Sequence, residues 1–137
     1  MFFKKNKKED EDKNFVKIAS LLIHAAKIDE NFSKTEEKII TEALLKLGVK
    51  NESLESIIKA GKLMEENANQ ILDFTREVKN MNENKKIQII ETLWQIIYSN
   101  KEADIYETNL MRRLAGLLYV DNKTMGDIKE KIKKENS

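Results

Sequence analysis

Apolar residues recur at three- and four-residue steps along most of the chain, which is the spacing of one face of an α-helix. The first segment with this spacing runs from about Asn14 to Ile28 and joins Phe15, Ile18 and Leu22. Leu21 widens its apolar face, so we expect this helix to lie near the centre of the fold. No segment shows the two-residue alternation that is typical of a half-buried strand.

Further segments along the chain have the same helical spacing. Their apolar positions include Ile40 and Leu44, Ile57 and Ile58, Phe74 and Val78, Ile90 and Leu93, Leu110 and Leu114, and Ile128 and Ile132. The second helix is predicted to run from Lys34 to Leu47 and to stop at Gly48, and Asn51 is predicted to cap the third. The pattern therefore predicts an all-α domain of about seven helices.

The apolar pattern repeats when the sequence is shifted by 71 residues. This shift pairs Ile18 with Ile89, Leu22 with Leu93, Leu47 with Leu118, Val49 with Val120, and Ile57 with Ile128. Self-similarity at a fixed offset is typical of a duplicated structural unit. We therefore predict two pseudo-repeats that pack over a shared core as one helical bundle, with the fourth helix as their connector.

The first residues, MFFKKNKKEDEDK, are basic and then acidic, with no apolar period. We interpret residues 1–13 as a solvated charged tail and residues 14–134 as the helical domain. An alternative is a weak peripheral membrane contact through Phe2, Phe3 and the neighbouring lysines.

Composition excludes several classes of function. The 25 basic and 24 acidic residues nearly cancel, which argues against a dedicated nucleic-acid-binding protein. The absence of cysteine and the single His24 exclude thiolate nucleophiles and the usual zinc sites. The four glycines are too scattered for a nucleotide-binding loop. The chain has no apolar stretch long enough to cross a bilayer and no secretory leader, so we expect a cytoplasmic protein. Because the excluded motifs leave little familiar catalytic machinery, we also expect that it is not an enzyme.

Acidic residues cluster between helices in both halves of the sequence. DENFSKTE, residues 29–36, separates the first two helices, and NKEADIYE, residues 100–107, separates the fifth and sixth. Oxygen ligands suit hard divalent cations such as Ca²⁺ and Mg²⁺. The candidate ligands for a divalent cation (Ca²⁺, Mg²⁺ or Zn²⁺) are Asp29, Glu36, Asp104 and Glu107.

Two comparisons limit this metal hypothesis. An EF-hand loop would need glycine where the chain has Lys34 and glutamate where it has Ile40. Ser33-x-x-Glu36 and Asp104-x-x-Glu107 are also capping-box patterns, in which each glutamate would serve helix initiation without any ligand. Helix capping and a functional acidic site both remain as interpretations.

Trp94 and Tyr98 lie four residues apart on the fifth helix. They either pack in the core or, together with Phe74, anchor a protein partner in an exposed groove. His24 is interpreted as a residue at the core edge or surface, since no second histidine or cysteine accompanies it. Arg112 and the lysines around Lys129 indicate a charged helix surface, with anion binding as the alternative.

Over about residues 14–132 the sequence resembles the TerB (tellurite resistance protein B) family, which includes the N-terminal domain of the DjlA membrane co-chaperone. The resemblance rests on LLIHAAKIDENFSKTEEKII, ILDFTREVKN and ETLWQIIYSNKEADIYETNLMRRLAGLLYV. Family members show Ala-x-x-Asp-Gly-x-Ile-x-x-x-Glu in each half. The first half keeps Ala26, Asp29 and Glu36, whereas the second keeps Glu107 but has Asn100 for the aspartate.

The resemblance implies an internally duplicated helical domain that acts as a stress-linked accessory or scaffolding module, in some members with an acidic metal site. It implies no catalytic activity. We therefore expect a non-enzymatic interaction domain with a protein partner. A divalent-metal-binding module is the first alternative, and a hydrolase that uses paired carboxylates is the second.

Overall fold

The computed structural model describes residues 2–28, 33–68, 70–99 and 105–135, and at residues 2–11 and 105 it describes the backbone alone. Within these ranges the chain forms seven α-helices and no strand, as the apolar spacing predicts. The helices are α1 (Phe2–Ala26), α2 (Lys34–Leu47), α3 (Asn51–Asn67), α4 (Leu72–Lys79), α5 (Glu83–Tyr98), α6 (Ile105–Leu117) and α7 (Asn122–Glu135).

Helices α1 and α5 form the centre of the bundle. The first packs against α2, α3, α4 and α5, and the second also packs against α2 and α7. Both are apolar on more than one side, which is typical of a helix that is covered all round. Their fully buried side chains include Ile18, Leu21, Leu22 and Ile23 on α1 and Ile89, Ile90, Leu93, Ile96 and Ile97 on α5.

The predicted repeat has counterparts in the helix boundaries. Helices α6 and α7 begin 71 residues after α2 and α3. The backbone N–H of Val49 donates to Leu44 O at 3.0 Å after α2, and that of Val120 donates to Ala115 O at 2.9 Å after α6. Each bond runs from a backbone N–H to the carbonyl five residues earlier. Such a bond closes the end of a helix when the residue before the donor adopts the left-handed conformation. Superposition of the two halves stays a prediction.

Two predicted helix starts are wrong. Helix α1 begins at Phe2 instead of near Asn14, because lysine and glutamate favour helix even without an apolar face. Asn51 does not cap α3 but is its first residue, and the preceding cap residue, Lys50, makes no side-chain capping bond. The assignment of residues 1–13 to a charged tail stays a prediction, and the side chains of Phe2, Phe3 and the nearby lysines lie outside the described residues.

Helices α1 and α3 approach each other closely where Gly61 faces Ala19. A Cβ placed on Gly61 would lie 2.9 Å from Cβ of Ala19, so only glycine fits there. The Ser20 hydroxyl lies 2.8 Å from Val16 O and 3.0 Å from Gly61 O, and its proton can serve either carbonyl. The small residues bring the two backbones close enough for one buried hydroxyl to join them.

Among the helices that the structure describes, none combines the length and the apolarity needed to cross a bilayer.

Candidate functional site

Glu36 forms the capping box that its spacing predicts. The Glu36 backbone N–H donates to Ser33 Oγ at 3.2 Å, and the Ser33 backbone N–H donates to Glu36 Oε1 at 2.9 Å. The Glu36 residue is only 2% exposed. Because a buried carboxylate is costly unless it is hydrogen-bonded, the capping box helps to explain how it is tolerated. The capping interpretation of Glu36 is therefore confirmed.

The second acidic segment, between α5 and α6, also contains a buried glutamate. Glu107 is 5% exposed near the start of α6, at the position that the 71-residue shift pairs with Glu36. Asp29 and Asp104, the other two candidate ligands, lie outside the described residues. Within the described part of the chain, no group of three or more histidine, aspartate or glutamate side chains is arranged to hold a metal ion. The metal site therefore stays a prediction.

A polar cluster that the sequence analysis missed joins α1 to α3. Glu65 Oε1 accepts from Lys27 Nζ at 2.7 Å, and Glu65 Oε2 lies 3.2 Å from His24 Nδ1. Burial raises the pKa of Glu65, but the bonds to Lys27 and His24 outweigh it and lower this pKa below its ordinary value. His24 also lies beside the Phe74 ring, with 6.0 Å between ring centroids, so its predicted place at the core edge is confirmed.

The three predicted aromatic anchors lie in the core. Phe74, Trp94 and Tyr98 are all buried, and the Trp94 and Tyr98 rings stack with centroids 5.9 Å apart. Burial, with the nearby charges of Glu130 and Glu107, raises the pKa of the Tyr98 hydroxyl. The core interpretation is therefore confirmed, and the idea that all three form an exposed patch is wrong.

Trp94 nevertheless contributes to a surface cleft between α6 and α7, here called the Trp94 cleft. Its volume is about 210 Å³. Its apolar lining includes Trp94, Met111, Ala115 and Met125, and its basic lining consists of Arg112 and Lys129. Lys129 Nζ lies 5.6 Å from the centroid of the Trp94 ring. The indole Nε1 of Trp94 is buried and has no hydrogen-bond acceptor.

A second cleft occupies the corresponding place between α2 and α3, here called the sister cleft. Five positions that line it, Glu37, Asn51, Leu54, Glu55 and Ile58, correspond at the 71-residue shift to Thr108, Asn122, Met125, Gly126 and Lys129 of the Trp94 cleft. The sister cleft is larger, about 490 Å³, and carries glutamates as well as lysines. Sequence reasoning missed both clefts, although the repeated order of helices was the signal that could have placed them.

The charge of the two clefts differs. Glu37 and Glu55 line the sister cleft beside Lys59 and Lys62, and Lys62 Nζ lies 3.9 Å from Glu37 Oε1. The described residues that line the Trp94 cleft include no carboxylate. The same location in the bundle therefore presents mixed charge in one half and positive charge in the other.

These features define a helical bundle with open clefts between its outer helices. The sequence model of the family described as Tellurite resistance protein TerB matches residues 15–130. The chain therefore belongs to the TerB family, which is not a known family of enzymes. No curated protein and no solved structure matches the chain.

Proposed function

We propose that this chain is a non-enzymatic accessory module that binds a segment of another protein in the Trp94 cleft. The observation that carries the proposal is the cleft itself, with a buried tryptophan in its lining and basic residues beside it. Tryptophan, methionine and arginine are enriched where proteins bind one another. The cleft is smaller than the roughly 300–1,000 Å³ of a typical small-molecule pocket. It suits a side chain or two from a partner.

Two glycines offer a matched pair of variants for testing this proposal. A Cβ on Gly126 of α7 or on Gly116 of α6 would meet no atom within 4 Å. Gly126 lines the Trp94 cleft, whereas Gly116 is an exposed residue that does not. Gly126→Phe should therefore fill the cleft, and Gly116→Phe should add the same bulk elsewhere.

The experiment uses photoreactive benzoylphenylalanine in place of Thr108, a residue of the cleft lining, in cells that make the protein. We expect a cross-linked partner that persists with Gly116→Phe and is lost with Gly126→Phe. The same photoreactive residue in place of Glu37, in the sister cleft, should not give that adduct. An adduct that survives Gly126→Phe, or no adduct from Thr108, would contradict the proposal.

The proposal includes a role in stress of the kind that the family description names. Growth of cells that lack the protein should then fall more steeply with tellurite than growth of the parent. Gly126→Phe should reproduce this defect and Gly116→Phe should not. Equal growth of all four strains across the tellurite series would remove the stress role and leave partner binding to the cross-linking test.

A second candidate function is binding of a divalent cation at the two acidic segments, residues 29–36 and 100–107. The observation in its favour is the burial of a carboxylate at corresponding positions, Glu36 and Glu107, next to segments that contain Asp29 and Asp104. Bound metal would raise the melting temperature, because a ligand of the native state stabilises it. Ca²⁺, Mg²⁺ and Zn²⁺ are the cations to titrate.

Separate variants distinguish this candidate from helix capping. Ser33→Ala removes the cap but no proposed ligand, so it should lower the melting temperature without abolishing the rise caused by metal. Asp29→Ala should abolish that rise. A rise that is the same in the wild type and in the Asp29→Ala, Glu36→Ala double variant, or no rise with any of the three cations, would rule the metal function out.

A further inference from the structure

We infer that the Trp94 cleft is selective for a carboxylate, and that its occupant is a partner segment in which an aspartate or glutamate adjoins an apolar side chain. This inference rests on the proposed function and adds the chemistry of the partner. Three observations support it: an unpartnered buried donor, a pair of cations, and a sister cleft of different charge.

The first observation is the Trp94 indole. Its Nε1 is buried without an acceptor, and the residue is 3% exposed. An indole N–H can only donate, and leaving a buried donor unpaired costs about 1–3 kcal/mol. Native structures satisfy nearly all such groups, so a missing acceptor calls for an explanation. Nε1 is closed off from solvent, so an oxygen of a bound segment would supply that acceptor once the side chains that cover the edge of the indole move aside.

The second observation is the position of the cations. Lys129 lies over the face of the indole ring, and Arg112 lines the same cleft. Both are on the surface and neither forms an ion pair with a described carboxylate within 4.0 Å. A carboxylate that enters the cleft would meet two cations beside the indole ring. An ammonium ligand would be repelled by the same two cations.

The third observation is the sister cleft, which acts as an internal comparison. Its position between helices corresponds to that of the Trp94 cleft, but Glu37 and Glu55 line it. Glu55 occupies the position that corresponds to Gly126, so the sister cleft already contains a carboxylate where the Trp94 cleft has open space. An acidic segment should therefore prefer the Trp94 cleft, since like charges weaken association.

Two fluorescein-labelled peptides test the selectivity. One is a blocked peptide of alternating leucine and glutamate pairs, and the other has glutamine in place of every glutamate. Binding is followed by fluorescence anisotropy and by the emission of Trp94, which is the only tryptophan in the chain. We expect the glutamate peptide to bind about tenfold more tightly than the glutamine peptide at low salt, with the difference shrinking as salt is added.

Variants connect this difference to the cleft. Arg112→Gln and Lys129→Gln should each reduce the preference for glutamate, whereas Lys59→Gln, in the sister cleft, should leave it unchanged. Trp94→Phe keeps a ring but removes the indole donor, so it should weaken the glutamate peptide more than the glutamine peptide. Arg112 is exposed, so its replacement leaves the core intact and keeps the test valid if Trp94→Phe unfolds the protein.

The outcomes separate this inference from the proposed function. Equal affinity for the two peptides, or a glutamate preference that Arg112→Gln and Lys129→Gln leave unchanged, would overturn carboxylate selectivity. A cross-link from Thr108 that Gly126→Phe removes would then still support partner binding in the cleft. If the two peptides bind equally and Gly126→Phe does not remove a cross-link from Thr108, the inference and the proposed function are both rejected.

Discussion

Gly48 and Tyr119 both have left-handed backbones, with φ of 116° and 57°, at the turns that follow α2 and α6. They lie 71 residues apart, so the same turn is made once by glycine and once by a residue with a side chain. The left-handed conformation costs a residue with a Cβ about 1–2 kcal/mol. The Tyr119 ring lies beside Lys79, whose Nζ is 5.4 Å from the ring centroid. This cation–π contact offsets part of the cost of the left-handed backbone.

This relationship predicts unequal effects of alanine at the two turns. Gly48→Ala should lower the free energy of unfolding by about 1–2 kcal/mol, because alanine is strained where glycine is not. Tyr119→Ala should cost less, about 0.5–1 kcal/mol, because both residues bear the same strain and only an exposed cation–π contact is lost. Urea denaturation of the two variants measures the difference. An equal loss of stability at both positions would contradict the account of these turns.

The contact of α1 with α3 predicts opposite effects of alanine at different glycines. Gly61→Ala places a Cβ 2.9 Å from that of Ala19, and should destabilise the protein by about 1–3 kcal/mol. Gly116→Ala adds a methyl group in open space within a helix and should stabilise it by about 0.5–1 kcal/mol. Thermal melting compares the two. Adding Ala19→Gly to Gly61→Ala should restore part of the loss, and failure to do so would show that the two positions do not compete for space.

The lowered pKa of Glu65 predicts how the stability of the protein changes at acidic pH. This pKa is lowered in the folded protein, so the contribution of Glu65 is present above the ordinary value of 4.5 and is lost as the pH falls through the lower folded value. The free energy of unfolding should therefore decrease below about pH 5 less steeply in Glu65→Gln than in the wild type. Glu52→Gln, on the exposed first turn of α3, is the control and should follow the wild type.

The ion pair between Lys27 and Glu65 predicts a change in stability at high pH. The hydrogen bond that Lys27 donates to Glu65 raises the pKa of Lys27 above its ordinary value of 10.5. The stability that this pair contributes is therefore present below pH 10.5 and is lost as the pH rises through the higher folded pKa. Glu65→Gln should remove this alkaline loss along with the acidic one. Identical pH profiles for the wild type and Glu65→Gln, measured by urea denaturation from pH 3 to pH 11, would show that the pair contributes nothing to folding.

Ser33 predicts the contribution of the α2 cap. Ser33→Ala removes the acceptor for the Glu36 N–H and should lower the free energy of unfolding by about 1 kcal/mol. Ser56→Ala is the matched control, because the Ser56 hydroxyl is exposed and donates only to the carbonyl of Ser53. Its stability should stay within about 0.5 kcal/mol of the wild type. A similar loss in both variants would mean that the cap has no special effect.

The sequence by itself determined the elements and much of the core. Helical spacing placed Leu22, Leu44 and Leu93 in the interior, Gly48 at the end of α2, and Ser33 with Glu36 at its start. These features could be predicted because they depend on residues within a turn or two of one another. The charged segment before Asn14 was the exception, because a helix without an apolar face leaves no period to detect.

Only the tertiary structure decided which helix faces meet. Glu65 lies 38 residues from Lys27 along the chain, but Glu65 Oε1 is 2.7 Å from Lys27 Nζ in the fold. Gly61, which has no side chain, leaves room for Ala19 where α1 packs against α3. Trp94 is a core residue by its spacing, yet the position of α6 and α7 leaves a cleft beside it. Spacing along one helix is a local property, whereas the crossing angle and register between helices follow from the packing of the whole core.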